Sequence, residues 1–269
     1  MYALIALLGL IVGSFLTVVV HRLAAGGTII RGRSRCVHCQ RQLSWFELVP
    51  VLSFMAQGGH CRSCRGSIPP SYPLIEAATA FSFIIIAAGI REDILPVPQF
   101  VSGTGATSVV LTFLYYAYFA ASAVSIAAYD IRHRLIPQAL SLPLVTVGVA
   151  ALALGGAISR DFTTAAWTLA TAVAAFGVFW SLWYFSKGRA MGRGDADVAC
   201  AITLYLGPRL TLIALPIAFW LGALYGILLL GCGRLHWKSA IPFAPFLFAG
   251  ALGALFGIHW IPLEYFLII

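Results

Sequence analysis

Two aspartates far apart in the chain sit where carboxylates are costly. Asp130 closes the apolar run 108–129, and Asp195 stands in Gly192-Arg193-Gly194-Asp195, just after the run 165–185. A carboxylate at a membrane boundary points to function by default. Two that meet can share one proton, the charged one activating water and the neutral one protonating a leaving group. The competing reading is that each is an interfacial anchor or pairs locally with Arg132, Arg134 or Arg193. A second constellation is Cys36-Val37-His38-Cys39 and Cys61-Arg62-Ser63-Cys64, two CxxC pairs with 21 residues between them. Four thiolates so spaced suit a tetrahedral zinc, which would leave no open position and so be structural. Disulfides or free thiols are the alternatives. His38 and His60 flank the pairs and could replace a ligand. Cys200 and Cys232, alone within apolar runs, read as small buried residues.

The elements that must carry these groups are membrane helices. The chain has 269 residues, 61% of them hydrophobic and 10% charged, far more apolar surface than a soluble domain needs. Apolar runs cover 2–20, 72–90, 108–129, 138–157, 165–185, 198–206, 210–230 and 241–261, the sixth too short to cross about 30 Å by itself. The expectation is an all-α, polytopic membrane protein of about eight transmembrane helices, with a small cytoplasmic zinc-binding module between helices 1 and 2. Continuous apolar runs argue against a barrel of alternating strands. The first run lacks a basic start and ends in Arg22 rather than small residues, unlike a cleavable signal peptide. One long polar insertion spans 21–71, and 91–107, rich in Pro, Gly and Ser, reads as a loop. No internal repeat is evident. The domain division expected is 1–21 as first helix, 22–71 as the four-cysteine module and 72–269 as the membrane-embedded catalytic part.

With the N-terminus outside, fourteen of the seventeen Lys and Arg residues fall in internal segments and only Arg91, Arg160 and Arg209 outside, a strong positive-inside bias. Removing the sixth run would put Arg234 and Lys238 outside, so the bias supports it. The net charge of +8 then reflects topology and contact with anionic lipid in the bilayer. Basic residues scattered through membrane-proximal loops argue against a nucleic-acid partner. Both aspartates and the cysteine module come out on the cytoplasmic side, a reducing compartment that disfavours disulfides. About fifty residues hold too little core to fold alone, so metal would matter for stability there.

In these residues the chain resembles the type IV prepilin leader peptidase/N-methyltransferase family, intramembrane aspartyl proteases of the GxGD type. The resemblance rests on Gly13-Ser14-Phe15-Leu16 with His21-Arg22, the two CxxC pairs, Val49-Pro50-Val51-Leu52-Ser53, Tyr72-Pro73-Leu74-Ile75-Glu76, Asp130 followed by Ile136-Pro137, Gly192-Arg193-Gly194-Asp195, and Pro242-Phe243-Ala244-Pro245-Phe246-Leu247. It implies a bacterial inner-membrane enzyme that clips the basic leader of prepilins or pseudopilins after a glycine at the cytoplasmic face. It also implies methylation of the new N-terminus with S-adenosylmethionine. Carried over, Asp130 and Asp195 are the catalytic pair and Cys36, Cys39, Cys61 and Cys64 bind structural Zn2+. Glu76 falls in a motif linked to the methylating half, where it could orient the substrate amine. A plain helix-start charge is the other reading. Three positions depart from the family pattern: Thr17 where Asn is common, Gln138 where an acid is frequent, and Asp197 where Lys is usual. Asp197 is expected to put a third carboxylate beside Asp195, or to serve as an acidic spot for a basic leader.

The rival classes are a transporter that uses the two aspartates for protons or cations, and an inactive scaffold for pilus assembly. Transport sites lie near the midplane among broken helices, whereas these aspartates fall at the membrane edge. The sequence specifies neither the pilin nor an oligomeric state.

Overall fold

The computed structural model describes residues 1–27, 32–101, 105–233 and 241–257. Arg31, Arg234, Lys238 and residues 258–261 of the last apolar run lie outside them. The regular structure among the described residues is helical: α1 (Tyr2–Ala24), a 3-10 turn (Trp45–Leu48), α2 (Leu52–Ala56), α3 (Ser71–Arg91), α4 (Ala106–His133), α5 (Gln138–Ser159), α6 (Phe162–Ser186), α7 (Arg193–Gly231) and α8 (Ala244–Gly257). Six of these, α1 and α3 through α7, are long and apolar enough to cross a membrane. The 23 residues of α1, for instance, rise about 34 Å, against a hydrocarbon core of about 30 Å. The chain is therefore a multi-pass membrane protein.

Among the described residues six helices are long and apolar enough, against about eight expected, and the difference has two sources. The sixth and seventh apolar runs lie within α7, which is broken at Gly207 (φ 78°, ψ 172°) just before Pro208. The part before the break is buried, with Ala196, Val198, Ala199, Ala201 and Ile202 fully enclosed. Running from Arg193 to Leu206, it spans about 21 Å, too short to cross unaided. The eighth run contributes α8, described over Ala244–Gly257, with the rest of that run outside the described residues.

Two compact units are formed, Met1–Ala88 and Gly89–Ile269. In the first, α1 and α3 approach backbone to backbone. A Cβ at Gly9 would lie 2.5 Å from Ala80 Cα, and one at Gly13 would lie 2.6 Å from Glu76 Cα. These glycines four residues apart form one small ridge, as helices in lipid require for close packing. In the second unit, α7 packs against α5, α6 and α8, and α8 also packs on α4. Glycines again allow the contacts, Gly148 against Leu204 and Tyr205, and Gly250 against Ala214. The outward residues of α6 include Trp167, Val173 and Val178, an apolar face suited to lipid.

Candidate active site

Asp130 lies in the last turn of α4, on the face that also buries Ile126 and Tyr129. Arg134 closes the helix from the left-handed region (φ 55°), its N–H donating to Asp130 O at 2.7 Å. The chain then turns through Ile136 to Pro137, which precedes the first residue of α5. A proline at a helix start costs nothing, because its missing N–H would have no partner there.

Asp195 is the third residue of α7. Its Oδ2 accepts the N–H of Gly192, 3.0 Å away, so the carboxylate caps its own helix. Gly194 is bare for a reason: a Cβ there would sit 2.5 Å from Ile136 Cβ. The start of α7 thus lies directly against the turn that follows Asp130. Asp130 is held from a third element, α8, whose Ala244 N–H donates to its Oδ2 at 3.0 Å. Sequence reasoning missed this donor, since a backbone N–H carries no residue identity. Pro245, just inside the helix start, was the available signal.

Both carboxylates are buried, at 4% and 5% exposure, and close enough for the charge of Asp130 to act on Asp195. Each has one oxygen fixed by the first N–H groups of a helix, where the backbone dipole favours negative charge. Local pairing with arginine is not seen: among the described residues the ion pairs are Arg41–Glu47 and Arg91–Glu92. Asp197 does not join the pair. Its Oδ2 accepts the hydroxyl of Ser141 on α5 at 2.9 Å, one helical face away from Asp195. The expectation that it would crowd Asp195 gives way to a helix–helix hydrogen bond.

The four cysteine sulfurs all lie within 4.8 Å of one another, with Cys36 and Cys64 Sγ 3.8 Å apart. A zinc tetrahedron with bonds of about 2.3 Å has sulfur–sulfur edges of about 3.8 Å, so the set fits the metal. All four are free thiols. Backbone N–H groups of Cys64 and Ser63 push the Cys61 thiol down to about 6, while at Cys64 the Gly66 N–H is outweighed by burial and the neighbouring sulfurs, which push that thiol up to about 11; a metal needs both as thiolates.

Contrary to expectation, a repeat underlies this module. Arg35 bridges Gln42 and His60 bridges Ser67. Cys36 N–H donates to Arg41 O, and Cys61 N–H to Gly66 O. Gln40 and Arg65 both turn at positive φ (57° and 58°). Every position of the second knuckle follows its counterpart by the same offset (36 to 61, 39 to 64). The histidines are not ligands: His38 Nε2 lies 3.1 Å from Ser67 O and His60 Nδ1 lies 2.6 Å from Gly58 O. Of the isolated cysteines, Cys200 is half-buried and Cys232, past the end of α7, is exposed.

Glu76 is no helix-start charge. It lies beyond the first turn of α3, is buried, and its Oε2 accepts the N–H of Val51 at 2.7 Å. Val51 adopts φ 60°, ψ −49°, and Leu52 N–H bonds back to Pro50 O. This is a γ-turn of the rare, strained hand. A β-branched residue so placed costs about 1–3 kcal/mol, and here that strain aims one amide at Glu76.

The Bacterial Peptidase A24 N-terminal domain matches residues 7–90, and the Type IV leader peptidase family matches residues 117–227. A protein of Burkholderia pseudomallei (strain 1026b) named prepilin leader peptidase/N-methyltransferase is 32% identical over 93% of this chain and 83% of its own length. Proteins of the same name from Aeromonas hydrophila and Pseudomonas aeruginosa are each 29% identical, over 95% and 93% of this chain and 91% and 89% of their own. No solved structure matches with significance. With two consecutive domains matched and a 32% identical relative aligned nearly end to end, the chain belongs to the type IV leader peptidase family of intramembrane aspartic proteases.

Proposed function

We propose that Asp130 and Asp195 are the catalytic pair of a prepilin leader peptidase. They share a proton, the ionised one activating water and the protonated one supplying the leaving amine. The substrate would be a prepilin or pseudopilin, its apolar stem among the helices of residues 106–257 and its basic leader cut off after a glycine. The charge bias argues for this reaction at the cytoplasmic face of the bacterial inner membrane. The observation that carries the reading is two buried carboxylates, each with one oxygen held by a helix-start N–H and close enough for their charges to interact.

Residues 22–71 we assign to the methylating half, with Cys36, Cys39, Cys61 and Cys64 holding zinc. The metal would tie the two knuckles together and do no chemistry. S-adenosylmethionine would be the methyl donor, as the names of the relatives suggest.

The test is incubation of the detergent-solubilised chain with a prepilin leader peptide, with and without S-adenosylmethionine. Mass spectrometry should show cleavage after the glycine and, with donor, a gain of one methyl group on the new N-terminus. Asp130→Asn and Asp195→Asn should each abolish cleavage. Cleavage that survives either change rules out the pair.

A further inference from the structure

Residues 45–56 leave five large apolar side chains uncovered: Trp45 (80% exposed), Phe46 and Leu48 in the 3-10 turn, and Leu52 and Met55 (70%) on α2. Leu52 and Met55 are three residues apart and share one helical face. The other face is occupied, since Ser53, Phe54 and Gln57 line the cavity that Ser14 and Thr17 of α1 and Glu76 of α3 also line. The turn and α2 pack on one another. Glu47, the one acid of residues 32–68, is buried and paired with Arg41, so no carboxylate interrupts the apolar surface. A cluster of this kind marks contact with another apolar body.

The depth of the cluster says which body. The 21 residues of α3 rise about 31 Å, just enough for a hydrocarbon core of about 30 Å, so α3 begins at the membrane surface. Glu76 follows Ser71 by five residues, about 7.5 Å further in, and its backbone meets Gly13 in the middle of α1. Helical side chains lean toward their own N-terminus, which carries the Glu76 carboxylate back toward the surface. The Val51 N–H that it accepts, at 2.7 Å, therefore lies where headgroups give way to acyl chains, and Leu52 is the next residue. Amphipathic segments rest at this level, about 5–10 Å into the boundary, and tryptophan is enriched there. Leu74, exposed on the same stretch of α3, continues the lipid-facing surface of the helix toward the cluster. The Arg62 guanidinium carbon stands 5.5 Å from the Phe46 ring centroid, and Arg33, Arg35 and Arg65 are also exposed, a charge that suits anionic headgroups.

We propose that residues 45–56 are an interfacial anchor whose occupant is the bilayer: Trp45, Leu52 and Met55 enter the leaflet at the C-terminal end of α1, and acyl chains cover them. The four-cysteine module is then held against the membrane at a third point besides α1 and α3, with Arg62 among the headgroups.

The experiment places the full chain in nanodiscs of phosphatidylethanolamine and phosphatidylglycerol. The fluorescence of Trp45 is the difference between the native chain and Trp45→Phe. Lipid brominated near the headgroup end of its acyl chains should quench most of this signal, and acrylamide in the water should quench little of it. The double variant Leu52→Ser with Met55→Ser changes exposed side chains, and its fold is checked by tryptic pattern. It should reverse both results, with acrylamide access gained and bromine quenching lost. A Trp45 open to acrylamide and untouched by bromine in the native chain overturns the anchor. Protection from both quenchers means that protein covers the cluster, which overturns it too. A double variant quenched like the native chain removes Leu52 and Met55 from the role and overturns the anchor as drawn.

Discussion

Replacing Gly194 by Ala tests whether the contact between the start of α7 and the turn after Asp130 sets the catalytic geometry. The added Cβ would lie 2.5 Å from Ile136 Cβ and 3.1 Å from both its Cγ2 and its carbonyl oxygen. Carbon atoms settle at about 3.5–4.0 Å, so the two segments must part by about 1 Å. Ile136 cannot yield by changing rotamer, because the colliding atom is Cβ itself. Its backbone is also confined by Pro137. Overpacking of this kind costs about 1–3 kcal/mol, which a polytopic bundle survives. The displacement reaches the next residue, Asp195, and a misplacement of about 1 Å in a reacting group costs about 10²-fold. Gly194→Ala should therefore fold and cleave a leader peptide about 10²-fold more slowly. Adding Ile136→Ala should not restore the rate, since it keeps Cβ, whereas adding Ile136→Gly should recover part of it. Gly177→Ala, with nothing within 4 Å of the new atom, serves as the control at native rate. Cleavage by Gly194→Ala within about 3-fold of native refutes the geometric argument.

Asp197→Asn should cleave within about 3-fold of native, since an amide oxygen still accepts from Ser141. Ser141→Ala should cost about 1 kcal/mol in thermal unfolding for the lost bond, and a variant of Asp197 as dead as one of Asp195 would contradict this. The purified chain should carry one zinc. Chelation or Cys61→Ser should open residues 32–68 to trypsin, whereas equal resistance with and without metal removes the structural role. For pH, burial alone would raise the Glu47 carboxyl, but Ser44 N–H and the Arg41 guanidinium outweigh it and hold it below the ordinary value. A group lowered on folding stabilises above its unfolded pKa, about 4.3, and that contribution is lost as pH falls through the folded value. Hydrogen exchange in residues 41–48 should rise below about pH 4.3 in the native chain, and Glu47→Gln should exchange fast already at pH 7. An identical pH profile in both would exclude the pairing as the cause.

What the sequence made legible was whatever residue identity alone determines. Asp130 and Asp195 stood out because a carboxylate at the end of an apolar run has few bland explanations, and the four cysteines because their spacing is itself geometry. Whatever backbone geometry determines stayed hidden. Residues 198–206 read as a doubtful span because hydrophobicity cannot say that Gly207 joins them to the next run, nor that protein encloses them. The knuckle repeat escaped because it lives in hydrogen bonds and in the positive φ of Gln40 and Arg65, with little beyond cysteine in common. Glu76 could be read equally as an amine-orienting carboxylate or as a helix-start charge, because the γ-turn at Val51 whose N–H it accepts lies 25 residues earlier in the chain.

The choice of partners for the two aspartates bears on what they can do. The chain has seventeen Lys and Arg residues, and Arg132, Arg134 and Arg193 stand close in sequence to one or other aspartate. A guanidinium bound to either would favour both carboxylates ionised, a poor state for acid–base work that needs one proton between two acids. Backbone N–H groups at helix starts solve the same burial problem with fractional, fixed charge. They hold each carboxylate without supplying the full positive charge that would fix both acids as anions. It follows that an arginine at Ala244, fully buried beside Asp130 Oδ2, should destabilise the bundle by overpacking and suppress cleavage in the fraction that folds, and cleavage by that fraction at the native rate would mean that proton sharing is not required.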